Sequence, residues 1–268
     1  MDRLCRAAGD DPALVVLVVA AHPDDETIGA GGRLCHLIRP AIIHVTDGAP
    51  RDLRDAHAAG FAGWREYAAA RRAEAIGALA LAGVPASQLA GAGVADQAAS
   101  GDLPALTRRL LIQLATQQPD IVLTHPYEGG HPDHDATAFA VHAACRILAR
   151  GGIVPPAIVE FASYHLRNGA LITGEFLPAR RTVRTIELSS AEQEQKQQMI
   201  ACFRTQAATL ARFGTSVERF RRAPRYRFTE PPHAGPLYYE QHDWGVDGSR
   251  WRALAGRALE ELRLTEPL

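Results

Sequence analysis

Lysine is almost missing from this chain: Lys196 is the only one in 268 residues, and arginine carries the remaining positive charge. Excess charge is missing too. The formal net charge is −1, which gives no overall drive toward nucleic acid or an anionic membrane surface. No apolar run approaches the ~18 residues of a membrane span. No C-x-x-C spacing occurs, and the scattered Cys5, Cys35, Cys145 and Cys202 read as reduced core thiols rather than a disulfide framework. The absence of H-E-x-x-H removes the helix-borne zinc-protease pattern. The absence of G-x-S-x-G, with no cysteine in an evident activated setting, disfavours covalent catalysis. Repeats, low-complexity tracts and linkers are absent as well. Residues 13–21 are long enough for a signal-peptide core, but Asp2, Asp10 and Asp11 offset Arg3 and Arg6, and cleavage there would cut into the motif that follows. A soluble cytoplasmic protein is the expectation.

What is present is organised around residues 14–34. Leu14 to Ala20 is a short valine-rich run, the profile of a strand buried on both faces of a parallel sheet. It runs into His22-Pro23-Asp24-Asp25-Glu26, an imidazole and three acids that are costly to desolvate unless a cation pairs with them. With Pro23 at the first helical position, Asp25 falls about one turn beyond His22 and both can face one point. Asp24 is then rotated by roughly 100° and lies beside a metal rather than on it. A second quartet, His131-Pro132-Asp133-His134, repeats the design after the apolar run Ile121 to Leu123. Helix caps explain single acids in such places but not three histidines alongside them.

AHPDDE and HPDH together, with Gly31-Gly32, Thr46-Asp47-Gly48 and Arg71-x-x-Glu74, resemble the PIG-L/LmbE family of zinc-dependent N-deacetylases. The resemblance is good from about Val15 to Cys145. It implies an acyl, specifically acetyl, group removed from the nitrogen of an amino sugar, with a small N-acetylated sugar as the partner. The family's metal ligands fall on His22, Asp25 and His134. That His₂Asp set suits Zn²⁺ with a position left for water, though Fe²⁺ or Co²⁺ could occupy it. Asp24 takes the general-base position, and His131 is expected to stabilise the oxyanion. Asp133 is expected to hold an imidazole in its tautomer, His131 being the partner that the family implies. Some members place a tyrosine just before the second motif. Here Gly129 and Gly130 stand there, so Tyr127 is the nearest substitute, and Arg71 is a further candidate for substrate contact. A Rossmann-type dinucleotide oxidoreductase is the runner-up, opposed by the acids that a pyrophosphate would meet. A metal-binding protein with decayed catalysis is the rival outside enzymes.

Strands alternating with helices predict an α/β, Rossmann-like, mostly parallel sheet flanked by helices in one domain, 1–268. The motif core covers about 14–148, and 149–268 completes the sheet and the substrate side. Helices are predicted over Thr27–Ile38, Trp64–Ala82, Leu103–Thr116, His134–Leu148 and Ser189–Arg212, the last opened by a serine cap. Strands are predicted over Ala41–Val45, Leu89–Val94, Ile121–Thr124, Ala157–Tyr164 and Thr182–Leu188, with 49–63 as loop. Arg71 and Glu74 read as an exposed i,i+3 pair. The arginines from Arg212 to Arg227 read as a solvated helix face and exposed strand, with phosphate binding as the alternative. LYYEQHDW (237–244) reads as packing on a sheet edge, with a sugar-stacking wall as the alternative.

Overall fold

The computed structural model describes residues 14–38, 40–178 and 181–268. The polar leader read over 1–12 lies outside them. Strand β1 (Val16–Ala20) is buried along its whole length and pairs in parallel with β2 (Ala41–Pro50) on one side and β4 (Ile121–Thr124) on the other. Beyond them lie β3 (Leu89–Asp96), parallel to β2, and β5 (Ala157–Phe161), parallel to β4. The order β3-β2-β1-β4-β5 is the Rossmann order, reversing direction between β1 and β4. In such sheets the ends of those two strands diverge and leave a crevice. Both histidine-proline quartets follow these two strands.

Helix α1 (Asp25–Leu34) follows β1, and α3 (Trp64–Leu81) links β2 to β3 after the short α2 (Arg54–Ala58). Helix α4 (Leu103–Gln117) leads to β4, and α5 (Pro132–Arg150) leads to β5. Two apolar clusters fill the layers on either side, one around Leu106, Phe139 and Trp251, the other around Ala30, Leu79 and Phe203. Gly29 belongs to α1 because the ring of Phe161 from β5 occupies the space a Cβ would need. Close helix–sheet approach is therefore the reason for that glycine.

Three elements differ from the sequence reading. The run from Ala157 bends at Ala162–Ser163, so β6 (Tyr164–Arg167) leaves the main sheet and pairs with β7 (Ala170–Thr173). The polar helix stops early, as α6 (Ser190–Cys202) followed by the short α7 (Ala207–Leu210). Its capping box on Ser189 and Glu192 is present. What ends it is Glu74 of α3, which accepts from both the Thr205 backbone N–H (3.0 Å) and hydroxyl (2.6 Å). The loop 49–63 contains α2, held at Arg54 by Asp52.

The arginine-rich stretch is corrected more strongly. Instead of an exposed strand it forms β9 (Val217–Arg222), antiparallel between β5 and the edge strand β8 (Val183–Glu187). Arg221 is buried there, donating to Glu160 (2.6 Å) and Glu128 (3.0 Å), while Tyr226 donates to the other Glu160 oxygen (2.7 Å). Removing one member of a buried ion network leaves the others uncompensated, at about 3–5 kcal/mol. Arg221→Ala should therefore lower unfolding free energy by about that amount in chemical denaturation. A loss under ~1 kcal/mol, the scale of an exposed pair, would mean that the network is solvated. Lys196 is buried likewise, donating to the Ile28 carbonyl and to Glu218 at 2.7 Å each. Among the described residues no helix is long and apolar enough to cross a membrane.

Candidate metal centre

Three side chains converge at the crevice between β1 and β4. His22 Nδ1 lies 3.1 Å from Asp25 Oδ2, His134 Nε2 lies 3.3 Å from Asp25 Oδ1, and the two ring nitrogens are 3.3 Å apart. A tetrahedral Zn²⁺ with bonds of about 2.0–2.1 Å sets its ligand atoms about 3.3 Å apart, a spacing close to these separations. The three side chains are buried. His22, Asp25 and His134 are thus brought together as the sequence reading required.

The surroundings hold these groups in place. His22 turns its other nitrogen toward Asp96 Oδ1 (3.1 Å) and Asp133 Oδ2 (3.4 Å), which leaves Nδ1 facing Asp25 and His134. Asp133 also accepts from the backbone N–H groups of Gln97 (2.7 Å) and Ala99 (3.0 Å). The acid expected to orient His131 therefore serves His22 instead: its carboxylate is 4.0 Å from His131 Nδ1. The His131 tautomer is set by the Asp133 backbone N–H, which donates to Nδ1 at 3.1 Å and leaves the proton on Nε2. Burial, then His22, pushes His131 well below the ordinary histidine range, so this neutral donor form prevails. His134 Nδ1 lies 3.4 Å from the Ser163 hydroxyl, which the bend after β5 delivers.

Charge at the centre favours a cation. Burial raises Asp25, but His134 and His125 outweigh it and hold the carboxyl well below the usual range. Burial lowers His22, yet Asp96, Asp133 and Asp25 overcome this and raise it well above 6.5. The cluster thus draws positive charge toward the point where the three ligand atoms meet.

Asp24 stands next to this point in an unusual backbone state, φ 145° and ψ −27°, a region that L-residues rarely occupy. This corrects the helical argument for its placement: α1 starts at Asp25, and Asp24 turns outward by strain instead of helical rotation. Two groups hold it. Its N–H donates to Glu26 (3.3 Å), itself fixed by His44 (2.9 Å), and its carboxylate accepts from Arg71 (2.8 Å). Burial pushes Asp24 up to about 8, against Arg71, which acts to lower it. Arg71 also donates to the carbonyls of Gly48 (2.7 Å) and Pro23 (3.0 Å). It is therefore not half of an exposed pair with Glu74, whose carboxylate is used by Thr205.

Tyr127 does not face the centre. Its hydroxyl donates to the Glu230 carbonyl at 2.9 Å and its ring stacks on Trp251, so the tyrosine near the second motif is a core residue here. Gly130 is required next to His131 because the Tyr164 carbonyl fills the Cβ position. Trp251 further secures α5 by donating to the Pro132 carbonyl at 3.1 Å.

A pocket of about 380 Å³ opens over the centre. His22, Asp24, Asp25, His131 and His134 form its floor, and Tyr164, Phe213, Tyr238, His242 and Trp244 form its walls. The LYYEQHDW stretch therefore divides: Tyr239 is buried in the core, while Tyr238, His242 and Trp244 face the pocket, with Trp244 4.4 Å from the His131 ring. Asp96 and His125 stand outside the set read from the sequence. His125 stacks on His134 at 4.0 Å, lies 3.4 Å from Asp25, and accepts the Ala21 N–H. Its position at the end of β4 was the available signal; that of Asp96 was its position at the end of β3.

A Rossmann-like sheet bearing a His–Asp–His cluster at its switch point defines a metal-dependent α/β enzyme. Residues Leu17–Cys145 match the PIG-L family model, described as GlcNAc-PI de-N-acetylase. Over that stretch the chain is similar to the PIG-L/LmbE family. No curated protein matches it in sequence. Among solved structures it is similar to the A40926 pseudoaglycone deacetylase Dbv21, with TM-score 0.61, 21% identity, and coverage of 80% of this chain and 98% of that one. The N,N'-diacetylchitobiose deacetylase from Pyrococcus horikoshii gives 0.53 and 21%, covering 78% and 86%. GalB from Pseudomonas putida KT2440, a 4-carboxy-2-hydroxymuconate hydratase, gives 0.57 and 18%, covering 80% and 98%. These likenesses establish the fold. The dinucleotide oxidoreductase finds no support, since Asp24 and Asp25 occupy the turn where a pyrophosphate would lie.

Proposed function

We propose that the protein is a metal-dependent N-deacetylase that hydrolyses the acetamide of an amino sugar or amino-sugar conjugate, releasing acetate and a free amine. The observation that carries this reading is the placement of the Asp24–Arg71 pair and His131 on the same pocket floor as the three ligand atoms. Neither Asp24 nor His131 is needed merely to hold a metal, which argues against a decayed site.

His22, Asp25 and His134 would hold the ion, with zinc the best fit to two imidazoles and a carboxylate. When bound it supplies Lewis acidity, polarising the acyl carbonyl and lowering the pKa of a nearby water. Asp24 accepts a proton from the water as its oxygen attacks the carbonyl carbon. His131 Nε2–H donates to the oxygen on which negative charge develops. The C–N bond then breaks, and Asp24 returns its proton to the departing nitrogen, leaving acetate and the amine. Arg71 keeps the Asp24 carboxylate aimed during both transfers. The aromatic walls exclude water and offer apolar faces to a sugar ring.

The deciding measurement is acetate release from a panel of N-acetylated sugars by zinc-loaded protein, with a chelated sample as control. Release that depends on the metal is expected. Stoichiometric metal binding without acetate release from any member would overturn the reading.

A further inference from the structure

Of the arginines from Arg212 to Arg227, Arg212 is the one that lines the pocket. Arg221 is committed to Glu160 and Glu128, Arg219 donates to the Gly174 carbonyl, and Arg227 faces Glu230 at 3.8 Å. Arg71, the other arginine on the pocket, is committed through its two terminal nitrogens to Asp24, Gly48 and Pro23. Arg212 has no carboxylate within ion-pairing distance among the described residues; its contact is the Tyr238 hydroxyl at 3.4 Å. In that contact the guanidinium donates, so the Tyr238 proton remains available to an outside acceptor.

His242 joins them. Its ring lies 4.7 Å from Tyr238 and stacks at 4.3 Å on Trp244. Burial, then the charge of Arg212, lowers its pKa, which places the two basic groups in each other's field. Arg212, Tyr238 and His242 are thus three donors gathered at the mouth of the pocket without an acidic partner. The acids of the pocket stand elsewhere: Asp24, Asp25 and Asp96 on the floor, and Asp55 in the field of Arg71 and Arg54.

We propose that this cluster is an anion-binding subsite, so that the substrate is an amino sugar carrying a phosphate or carboxylate outside the reacting acetamide. The inference rests on the deacetylase reading for the acetamide and on Arg212, Tyr238 and His242 for the anion. A guanidinium meets either oxyanion with two parallel hydrogen bonds, and Tyr238 and His242 add donors that a neutral sugar would leave partly unused. Trp244 joins the two ends, since it contacts both His131 on the floor and His242 at the mouth.

The test compares kcat/KM for N-acetylglucosamine, its 1-phosphate, its 6-phosphate and N-acetylmuramic acid on zinc-loaded protein. At least one anionic sugar should exceed the neutral one by about tenfold or more, the scale of a charge-assisted contact. Arg212→Ala should collapse that ratio, Arg212→Lys should retain part of it, and Arg222→Ala, exposed on β9 away from the pocket, should not alter it. A preference confined to the phosphates or to the carboxylate assigns the anion. A ratio near one in the parent protein, or an unchanged ratio in Arg212→Ala, overturns the subsite. Calorimetric binding of glucosamine 1-phosphate against glucosamine separates this from failure of the deacetylase reading. Tighter binding of the phosphate that Arg212→Ala abolishes supports the subsite without any turnover, and equal binding rejects it.

Discussion

Asp24→Asn should keep its metal and lose about 10²–10⁴-fold in kcat, the usual worth of a positioned general base. The substitution is nearly isosteric and leaves the backbone contact from Asp24 N–H to Glu26 in place, so the strained turn at φ 145° should persist. The amide oxygen can still accept from Arg71, which now makes 2.8 Å contact with the carboxylate. What disappears is the capacity to take a proton. Metal analysis and kcat on one preparation decide the matter. Near-normal turnover with metal retained would move the base elsewhere, and His131 would be the next candidate.

Asp25→Ala is expected to fail differently, losing metal and activity together. One oxygen of this carboxylate faces each imidazole, His134 at 3.3 Å and His22 at 3.1 Å, so its removal leaves two neutral nitrogens to hold a dication. The loss should exceed the ~10–100-fold in affinity that follows removal of an outer partner such as Asp96 or Asp133. Zinc titration with a competing chelator measures it, and circular dichroism shows whether the fold survives. Should Asp25→Ala retain metal while Asp24→Asn loses it, the two aspartates have exchanged roles.

The two quartets were legible in the sequence because each packs its chemistry into four or five consecutive residues after a buried strand. Local geometry then decides that His22 and Asp25 meet. The sheet was legible for the same reason, as runs such as Ile121–Thr124 declare a buried strand without reference to any neighbour. Partners far apart in the chain were not legible. Asp96 reaches His22 across 74 residues and Arg71 reaches Asp24 across 47, and neither has a local pattern that separates it from a surface charge. Arg71 was read as exposed because its i,i+3 neighbour is an acid, yet Glu74 is drawn away by Thr205. Arg221 misled in the same way: a strand dense in arginine reads as solvated until Glu160 and Glu128 are seen behind it.

The burial of Lys196 has a practical meaning for the proposed reaction, whose product is an amine. Its ε-ammonium is enclosed between Ile28 and Glu218, and no other lysine exists. The native surface therefore offers acylating reagents no lysine side chain to modify. A fluorogenic amine reagent added during turnover would report the amine of the proposed reaction over a background free of lysine signal. The same reagent would gain one reactive site when the protein unfolds, so a single dye could follow both the reaction and the loss of the fold that supports it.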